Sequence, residues 1–468
     1  MNANSYKKAS TFYLIGNIFN KGIAFLTVPI FTRILGTNDY GLVNTYSSWI
    51  GIITMFIGFT LHMGIRSSFI DFRSNVREYL STVIKFTLLT SSAVILVTLG
   101  IIKIFNLNVP ILLVLLCLIH SSASAIIEDV SYYFMMTYSY IKRTIILVLP
   151  NLVSVVLSII IISFVMKNDL YLGRIIPDAA TMAAVGLVLS VIFIKKDKIN
   201  KTYLKHGLKI SAPLILHGAA LNILSQSDRI MITWLVNASQ SGIYSLVYSL
   251  GMISSVIISA LDGIWIPWFT EKMNTNSKDE INKMAVDYAK LITYIMCCLI
   301  MVAPEILKIL ASKPYWEGIK IIPLIIAANY ISFMYTFYVN IEHYYKKTMQ
   351  ISTLTIFAAV LNIILNYLLI PKFGYVAAAL TTMISYLTIL FLHSYFAKKI
   401  EPTLYPLKMF VLPIIEISAF CGLFYLLIDK PIIRWITAIV YFGVVAYIQR
   451  KKIVTILLPN FKAKFIKK

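Results

Sequence analysis

The stretch TIILVLPNLVSVVLSIIIISFVM, residues 144–166, contains no charged side chain between Arg143 and Lys167. A helix of about 20 apolar residues spans the hydrocarbon core of a bilayer. The whole 468-residue chain shares this character, because 59% of its residues are hydrophobic and 13% are charged, whereas soluble domains carry about 25% charged residues. The composition therefore indicates a polytopic membrane protein.

Comparable apolar runs recur along the whole chain and predict about 14 transmembrane helices. The runs are too long and too uniformly apolar for barrel strands of about ten alternating residues, so they indicate an all-α fold. The predicted spans are 11–35, 41–64, 80–103, 109–138, 142–166, 170–194, 209–236, 242–269, 284–310, 318–343, 348–370, 373–397, 407–428 and 431–449.

Lysines and arginines are distributed unequally between the predicted loops. If the N-terminus is cytoplasmic, the inner segments carry 28 basic residues and the outer segments carry 9, which the positive-inside rule favours. Both termini are then cytoplasmic, and the net charge of +22 indicates topology and contact with anionic lipid rather than nucleic-acid binding. The first run is long and contains Asn17 and Lys21, so it predicts a retained helix and not a cleaved signal peptide.

A shift of 201 residues aligns RILGTNDYGLVNTYSSWIGI (33–52) with WLVNASQSGIYSLVYSLGMI (234–253). Six spans separate the two copies, and an even number makes the repeats parallel, with a cleft between them. We therefore predict an N-lobe of six spans over 1–200, a C-lobe of six spans over 201–400, and two further helices with a basic cytoplasmic tail over 401–468. The matched positions include Gly41 with Gly242, Ser48 with Ser249, Gly173 with Gly374, and Thr181 with Thr382.

Ionisable side chains inside spans cost at least about 2.5 kcal/mol each when they face lipid at the bilayer centre. They are therefore expected to face the protein interior, a wet cavity or one another. Glu128 and Asp129 also fit a structural role as a cap or pair near the inner rim, and Glu342 and His343 lie at a cytoplasmic helix end where solvation suffices. The set is Lys21, His62, His120, Glu128, Asp129, Asp178, Asp228, Arg229, Asp262 and Glu416.

Asp228 and Arg229 are adjacent in SQSDRIMITWLV, residues 225–236. Neighbours on a helix point about 100° apart, so each needs its own partner. Arg229 could bind a phosphate or carboxylate, while Asp228 orients it, binds a sugar hydroxyl or carries a cation. The structural alternative satisfies each charge through a different neighbouring helix.

Three stretches resemble one family of transporters. LIGNIFNKGIAFLTVPIFTRILGTNDYGLVNTYSSW (14–49), KISAPLILHGAALNILSQSDRIMITWLVNASQSGIYSLVYSLG (209–251) and LNIILNYLLIPKFGYVAAALTTMISYL (361–387) are similar to the polysaccharide transporters. These are the Wzx-type O-antigen flippases of the MOP superfamily, which also contains the MATE exporters. The resemblance implies two six-helix lobes around a central cavity, plus two helices, in a bacterial cytoplasmic (inner) membrane.

The implied activity is transfer of lipid-diphosphate-linked oligosaccharide to the outer leaflet by alternating access. The cargo would be an undecaprenyl-linked repeat unit of O-antigen, capsule or exopolysaccharide. Further expectations are coupling to H⁺, Na⁺ or the membrane potential, no cofactor or metal, a monomer, and contact with polysaccharide polymerase or assembly proteins. The predicted substrate-cavity residues are Asn17, Lys21, Arg33, Asp228 and Arg229, and the candidate cation-coupling residues are Glu128, Asp228 and Asp262.

Two alternatives remain open. A MATE-like drug or metabolite exporter would use the same fold, but the basic residues of the first and seventh spans argue against its acidic cavity. A membrane polysaccharide polymerase or ligase would need a sizeable loop to shape its site, whereas the longest connection is about fifteen residues. The chain contains no nucleotide-binding or zinc-protease motif, so we expect no enzyme. The four cysteines lie inside spans, which indicates packing roles.

Overall fold

The computed structural model describes residues 22–23, 25–406 and 408–465, which contain helices and no strand. The predicted all-α fold is therefore confirmed. The helices are α1 Phe25–Ile34, α2 Thr37–Gly58, α3 His62–Asp71, α4 Val76–Ile104, α5 Ile111–Met136, α6 Tyr140–Ile160 with a π-helical end Ile161–Val165, α7 Leu170–Phe193, α8 Lys201–Leu235, α9 Ala238–Asn274, α10 Lys278–Leu310, a 3₁₀ helix Lys313–Ile321, α11 Ile322–Tyr344, α12 Thr348–Phe373, α13 Tyr375–Ile400, α14 Lys408–Leu426 and α15 Pro431–Phe465.

Within those residues, 12 helical segments are long and apolar enough to cross a membrane, or 13 if a bent pair is one span. The bent pair is Lys201–Ala212 and His217–Leu235, whose axes differ by 56°. Every predicted span from 41–64 onward corresponds to one of these segments. The first predicted span, 11–35, lies largely outside the described residues, so the total of 14 stays a prediction. The protein is a multi-pass membrane protein.

The second span is longer than predicted because α2 and α3 together form one 35-residue crossing, Thr37–Asp71. Phe59 and Thr60 join them with φ of 49° and 53°, a left-handed conformation that L-residues rarely adopt. The carbonyl of Thr60 accepts a hydrogen bond of 3.0 Å from Ser211 Oγ on α8. The joint is thus held by a neighbouring helix.

The chain divides into two compact units. Among described residues, the first unit runs to Ser245 and includes Thr348–Thr381. In this unit α5 packs against α2, α4 and α7, and α8 packs against α2 and α12. The core around α4, α5 and α7 contains Tyr79, Val83 and Val130, each at most 1% exposed. The part of α8 that carries Asp228 and Arg229 lies against α2 and α12.

The second unit comprises Leu246–Lys347 and the residues from Thr382 onward. Its centre is α10, which packs against α11, α14 and α15. Aromatic rings fill its core, as Trp265 stacks on Tyr288 with centroids 5.3 Å apart and meets the edge of Phe337 at 5.2 Å. The units are defined by packing alone, and the repeat lobes ending at residues 200 and 400 remain a prediction.

Candidate functional site

Asp228 lies in α8 with none of its surface exposed. Its two carboxylate oxygens accept hydrogen bonds from different helices. The hydroxyl of Tyr244 on α9 donates to Oδ2 at 2.5 Å, and the amide of Asn366 on α12 donates to Oδ1 at 2.7 Å. Both carboxylate oxygens are therefore satisfied where an unpaired polar group would be most costly.

The hydrogen bonds continue from Asp228 into a wholly buried polar network. Asn366 Oδ1 accepts from Thr381 Oγ1, and Asn366 Nδ2 also donates to Asn362 Oδ1 at 3.1 Å. Ser227 Oγ donates to the same Asn362 oxygen at 3.3 Å. The network therefore places further amide and hydroxyl groups behind the Asn366 donor, and carboxylate, amide and hydroxyl oxygens are the ligand type that hard cations prefer.

Asn362 has a specific unsatisfied group. Its side chain is fully buried, and its Nδ2 has no hydrogen-bond partner among the described residues. A buried amide without an acceptor costs about 1–3 kcal/mol. Flipping the amide would set Asn362 Nδ2 against Asn366 Nδ2, two donors facing each other, so the network favours the present orientation.

Arg229 is 8% exposed and makes contacts separate from those of Asp228. Its Nη1 donates to the carbonyl of Ser225 at 2.9 Å and to Oε1 of Gln226 at 2.8 Å. That Gln226 oxygen also accepts from Ser48 Oγ on α2 at 3.1 Å. Both acceptors are neutral oxygens, and they orient the guanidinium. The two charges do have separate partners, as their helical spacing predicts.

An apolar groove of about 1080 Å³ lies beside this part of α8, between α2 and α12. Trp49 of α2 and Trp234 of α8 line it and are 44% and 74% exposed. Thr45, Ser227 and Thr233 supply the polar side chains of its lining. The groove thus offers a hydrocarbon-compatible surface next to the polar network.

The other predicted site residues are dispersed. Asn17 and Lys21 lie outside the described residues, and Arg33 has an exposed side chain on α1. Glu128 is exposed on α5, where its Oε1 is 3.6 Å from Nδ1 of His62. Asp262 is half-buried in the second unit and makes no hydrogen bond or ion pair within the described part of the chain. Of the predicted site residues that the structure describes, only Asp228 and Arg229 therefore share one local site.

The expectation that Glu342 is solvated at a helix end is wrong. Glu342 and His393 are both fully buried, with Oε2 and Nδ1 2.6 Å apart. His393 belongs to α13, which covers the end of α11. The sequence showed the helix end but not the helix that covers it.

Sequence reasoning also missed the partners of Asp228. Asn362 and Asn366 had a visible signal, because two amides four residues apart share one face of the apolar helix α12. For Tyr244 and Thr381 the sequence contains no such signal. No group of three His, Cys, Asp or Glu side chains arranged to hold a metal occurs in the residues that the structure describes.

Comparisons with known proteins converge on one class. Residues 7–273, more than half of the chain, match a family model described as "Polysaccharide biosynthesis protein". Protein 1 of the Lsg locus of Haemophilus influenzae is 23% identical over 379 residues, which cover 76% of this chain and 89% of that protein.

Solved structures show the same fold. The lipid II flippase MurJ, in an inward closed conformation, has a TM-score of 0.58 and 19% identity, covering 95% of this chain and 99% of its own. An inward-facing multidrug resistance MATE family transporter of the MOP superfamily has a TM-score of 0.59 and 12% identity, covering 86% and 95%. At these identities the likeness establishes the fold, which is that of MATE and MurJ proteins.

Proposed function

Since the chain belongs to the polysaccharide biosynthesis protein family, we propose that it is a flippase for lipid-diphosphate-linked oligosaccharide. It moves the cargo from the inner to the outer leaflet of the bacterial cytoplasmic membrane by alternating access. The cargo is a repeat unit of O-antigen, capsule or exopolysaccharide on undecaprenyl diphosphate. Both termini face the cytoplasm, as the distribution of lysine and arginine favours.

The observation that carries this proposal is the oriented guanidinium of Arg229 inside a membrane span. The diphosphate-sugar head cannot cross hydrocarbon unaided, because its charges would lose their hydration. An arginine fork supplies planar, charge-assisted hydrogen bonds to phosphate oxygens. Gln226 and the Ser225 carbonyl hold that fork in place. Arg229 therefore replaces part of the hydration shell of the head group.

The lipid tail needs a different surface. The groove between α2, α8 and α12 is apolar and open, and it lies beside the Asp228 and Arg229 segment. A prenyl chain can remain in such a groove or in the surrounding lipid while the head group passes through the protein. This arrangement supports a lipid-linked cargo over a small soluble drug.

Asp228 carries the coupling cation in this proposal, either H⁺ or Na⁺. An interior-negative potential favours outward movement of negative charge by about 2.3 kcal/mol per charge per 100 mV. If cationic side chains that move with the cavity neutralise the head group, that driving force is lost. The Asp228 carboxylate, which Asn366 links to Asn362 and Thr381, is then the place for a cation whose gradient supplies direction.

The activity is tested by deleting the gene and locating the undecaprenyl-linked oligosaccharide. We expect intact repeat units to accumulate in the inner leaflet, protected from an impermeant glycan-modifying probe added outside spheroplasts. Repeat units that are already accessible from outside in the deletion strain would disprove the flippase activity. Loss of drug resistance with normal glycan export would instead establish the exporter.

The site is tested separately in the complemented strain. Arg229→Ala should abolish glycan export while the protein remains at wild-type abundance in the membrane, and Arg229→Lys should restore only part of it. Asp228→Asn preserves the size of the side chain and removes its charge, so export should lose its dependence on the cation gradient. Normal export by the alanine variant would assign Arg229 a purely structural role.

A further inference from the structure

A second groove, of about 710 Å³, lies in the first unit between α6 and α7, with α5 at its floor. Its walls are aliphatic and exposed. Ile145 and Leu149 of α6 are 50% and 53% exposed, and Val188 and Ile192 of α7 are 55% and 53% exposed. In a membrane protein such side chains contact lipid hydrocarbon, so the groove is a surface for an acyl chain.

One end of this groove is cationic. Arg77 and Lys142 line it, both with exposed side chains, and its lining contains no carboxylate. Neither cation forms an ion pair with any described residue. Arg77 is fixed over the end of α7, where its Nη2 donates to the carbonyl of Ile192 at 3.4 Å and its guanidinium carbon lies 5.9 Å from the centre of the Phe193 ring.

Hydroxyl groups line the same end. Tyr133, Thr137 and Ser139 belong to the groove, and Thr137 Oγ1 donates to Ser139 Oγ at 3.2 Å. Two cations with adjacent hydroxyl donors suit the oxygens of a phosphate group. The groove therefore combines a phosphate-binding end with an apolar body.

The dimensions match one leaflet. Lys142 and Leu149 are seven positions apart on α6, which corresponds to about 10 Å along a helix. One leaflet contributes about 15 Å to the hydrocarbon core. A phosphate held by Arg77 and Lys142 thus places an attached acyl chain along most of its length in the groove.

We propose that this groove is a binding site for one anionic phospholipid. The ends of α4, α6 and α7 that meet there are those placed in the cytoplasm by the lysine and arginine bias, and the inner leaflet carries the negative surface potential. The bound lipid links α6 to α7 and neutralises the two cations. This site is independent of the proposed transport activity, and flippase failure would leave it intact.

The test measures lipid binding to the purified full chain in neutral detergent. Phosphatidylglycerol should bind with a stoichiometry of one in native mass spectrometry and raise the Tm, whereas phosphatidylcholine should bind much more weakly. The double variant Arg77→Gln/Lys142→Gln should bind phosphatidylglycerol about 30-fold more weakly, as two lost cations near a membrane surface predict. The matched control Lys346→Gln/Lys347→Gln removes the same charge from an exposed loop and should bind normally.

A second variant tests the apolar body with both cations present. Val188→Trp fills the groove, so it should also lose phosphatidylglycerol binding while keeping the wild-type Tm of the lipid-free protein. Unchanged binding by both groove variants would overturn the site. Equal binding of phosphatidylcholine would remove the anionic specificity, and displacement of phosphatidylglycerol by equimolar undecaprenyl diphosphate would reassign the groove to the cargo lipid.

Discussion

Replacing Gly41 or Gly242 with alanine should destabilise the protein more than any other single methyl addition in the first unit. A Cβ on Gly41 would lie 1.7 Å from the carbonyl oxygen of Ala238, and a Cβ on Gly242 would lie 2.1 Å from that of Thr37. Ordinary contact begins at 3.4 Å, so the first distance would have to double. Both obstacles are helix backbone, so neither can rotate away and α2 must separate from α9.

The expected loss of stability follows from the contacts between α2 and α9 that this separation breaks. Overpacking a well-packed contact costs about 1–3 kcal/mol. The hydroxyl pair Thr37–Ser239, with oxygens 2.6 Å apart, would be lost as well, at about 1 kcal/mol. We expect Gly41→Ala to reduce the free energy of unfolding by about 3 kcal/mol and the Tm in detergent by about 5 °C. The Gly41→Ala/Gly242→Ala double variant should cost less than the two single variants combined, because one separation accommodates both methyl groups.

Gly100→Ala is the matched control. Gly100 lies inside α4, and no atom lies within 4 Å of its Cβ position. Alanine there should raise helix stability by up to about 1 kcal/mol and leave the Tm unchanged or higher. A wild-type Tm for Gly41→Ala, or full additivity in the double variant, would refute the close approach of α2 and α9.

Three further predictions concern charges in the second unit, each read out by thermal unfolding. Arg434→Ala removes the fully buried partner of Glu305, 2.5 Å away, and should cost about 3 kcal/mol or more. Glu342→Ala removes the carboxylate that lies 2.6 Å from Nδ1 of the buried His393. It should lower the free energy of unfolding by about 2 kcal/mol, whereas Glu342→Gln should lower it less. Burial raises the pKa of Glu401, but hydrogen bonds from Lys278 and two hydroxyls outweigh burial and lower the pKa below the usual 4.5. The wild type should therefore lose stability as the pH falls below 4.5. Lys278→Gln should make that loss of stability smaller.

The spans were predictable because hydrocarbon imposes a local rule. Every backbone amide and carbonyl in the bilayer needs an internal partner, so each long apolar run must be a helix wherever its neighbours lie. The boundaries were less predictable. GFTLHMG, residues 58–64, contains the joint at Phe59 and Thr60. Neither of these two left-handed residues is a glycine, so the sequence does not indicate the joint. The hydrogen bond from Ser211 that holds the joint comes from another helix.

The site was predictable only where a cost is visible in the chain itself. A carboxylate in an apolar run must have polar partners, and this argument singled out Asp228 from the sequence. The identity of its partners depends on packing, since Asn366 is 138 positions away along the chain. The same dependence explains the error at Glu342, because the end of a helix looks solvated until a second helix covers it.

The reciprocal contact of Gly41 and Gly242 bears on the predicted repeat. Under the 201-residue shift Gly41 corresponds to Gly242, and Thr37 corresponds to Ala238. In the structure each glycine approaches the carbonyl of the residue four positions before the other glycine. Gly41 approaches the carbonyl of Ala238, and Gly242 approaches that of Thr37. A contact in which matched positions exchange roles is what a two-fold axis produces. The parallel repeat stays a prediction, and an exchanged contact of this kind is what it predicts between the matched helices α2 and α9.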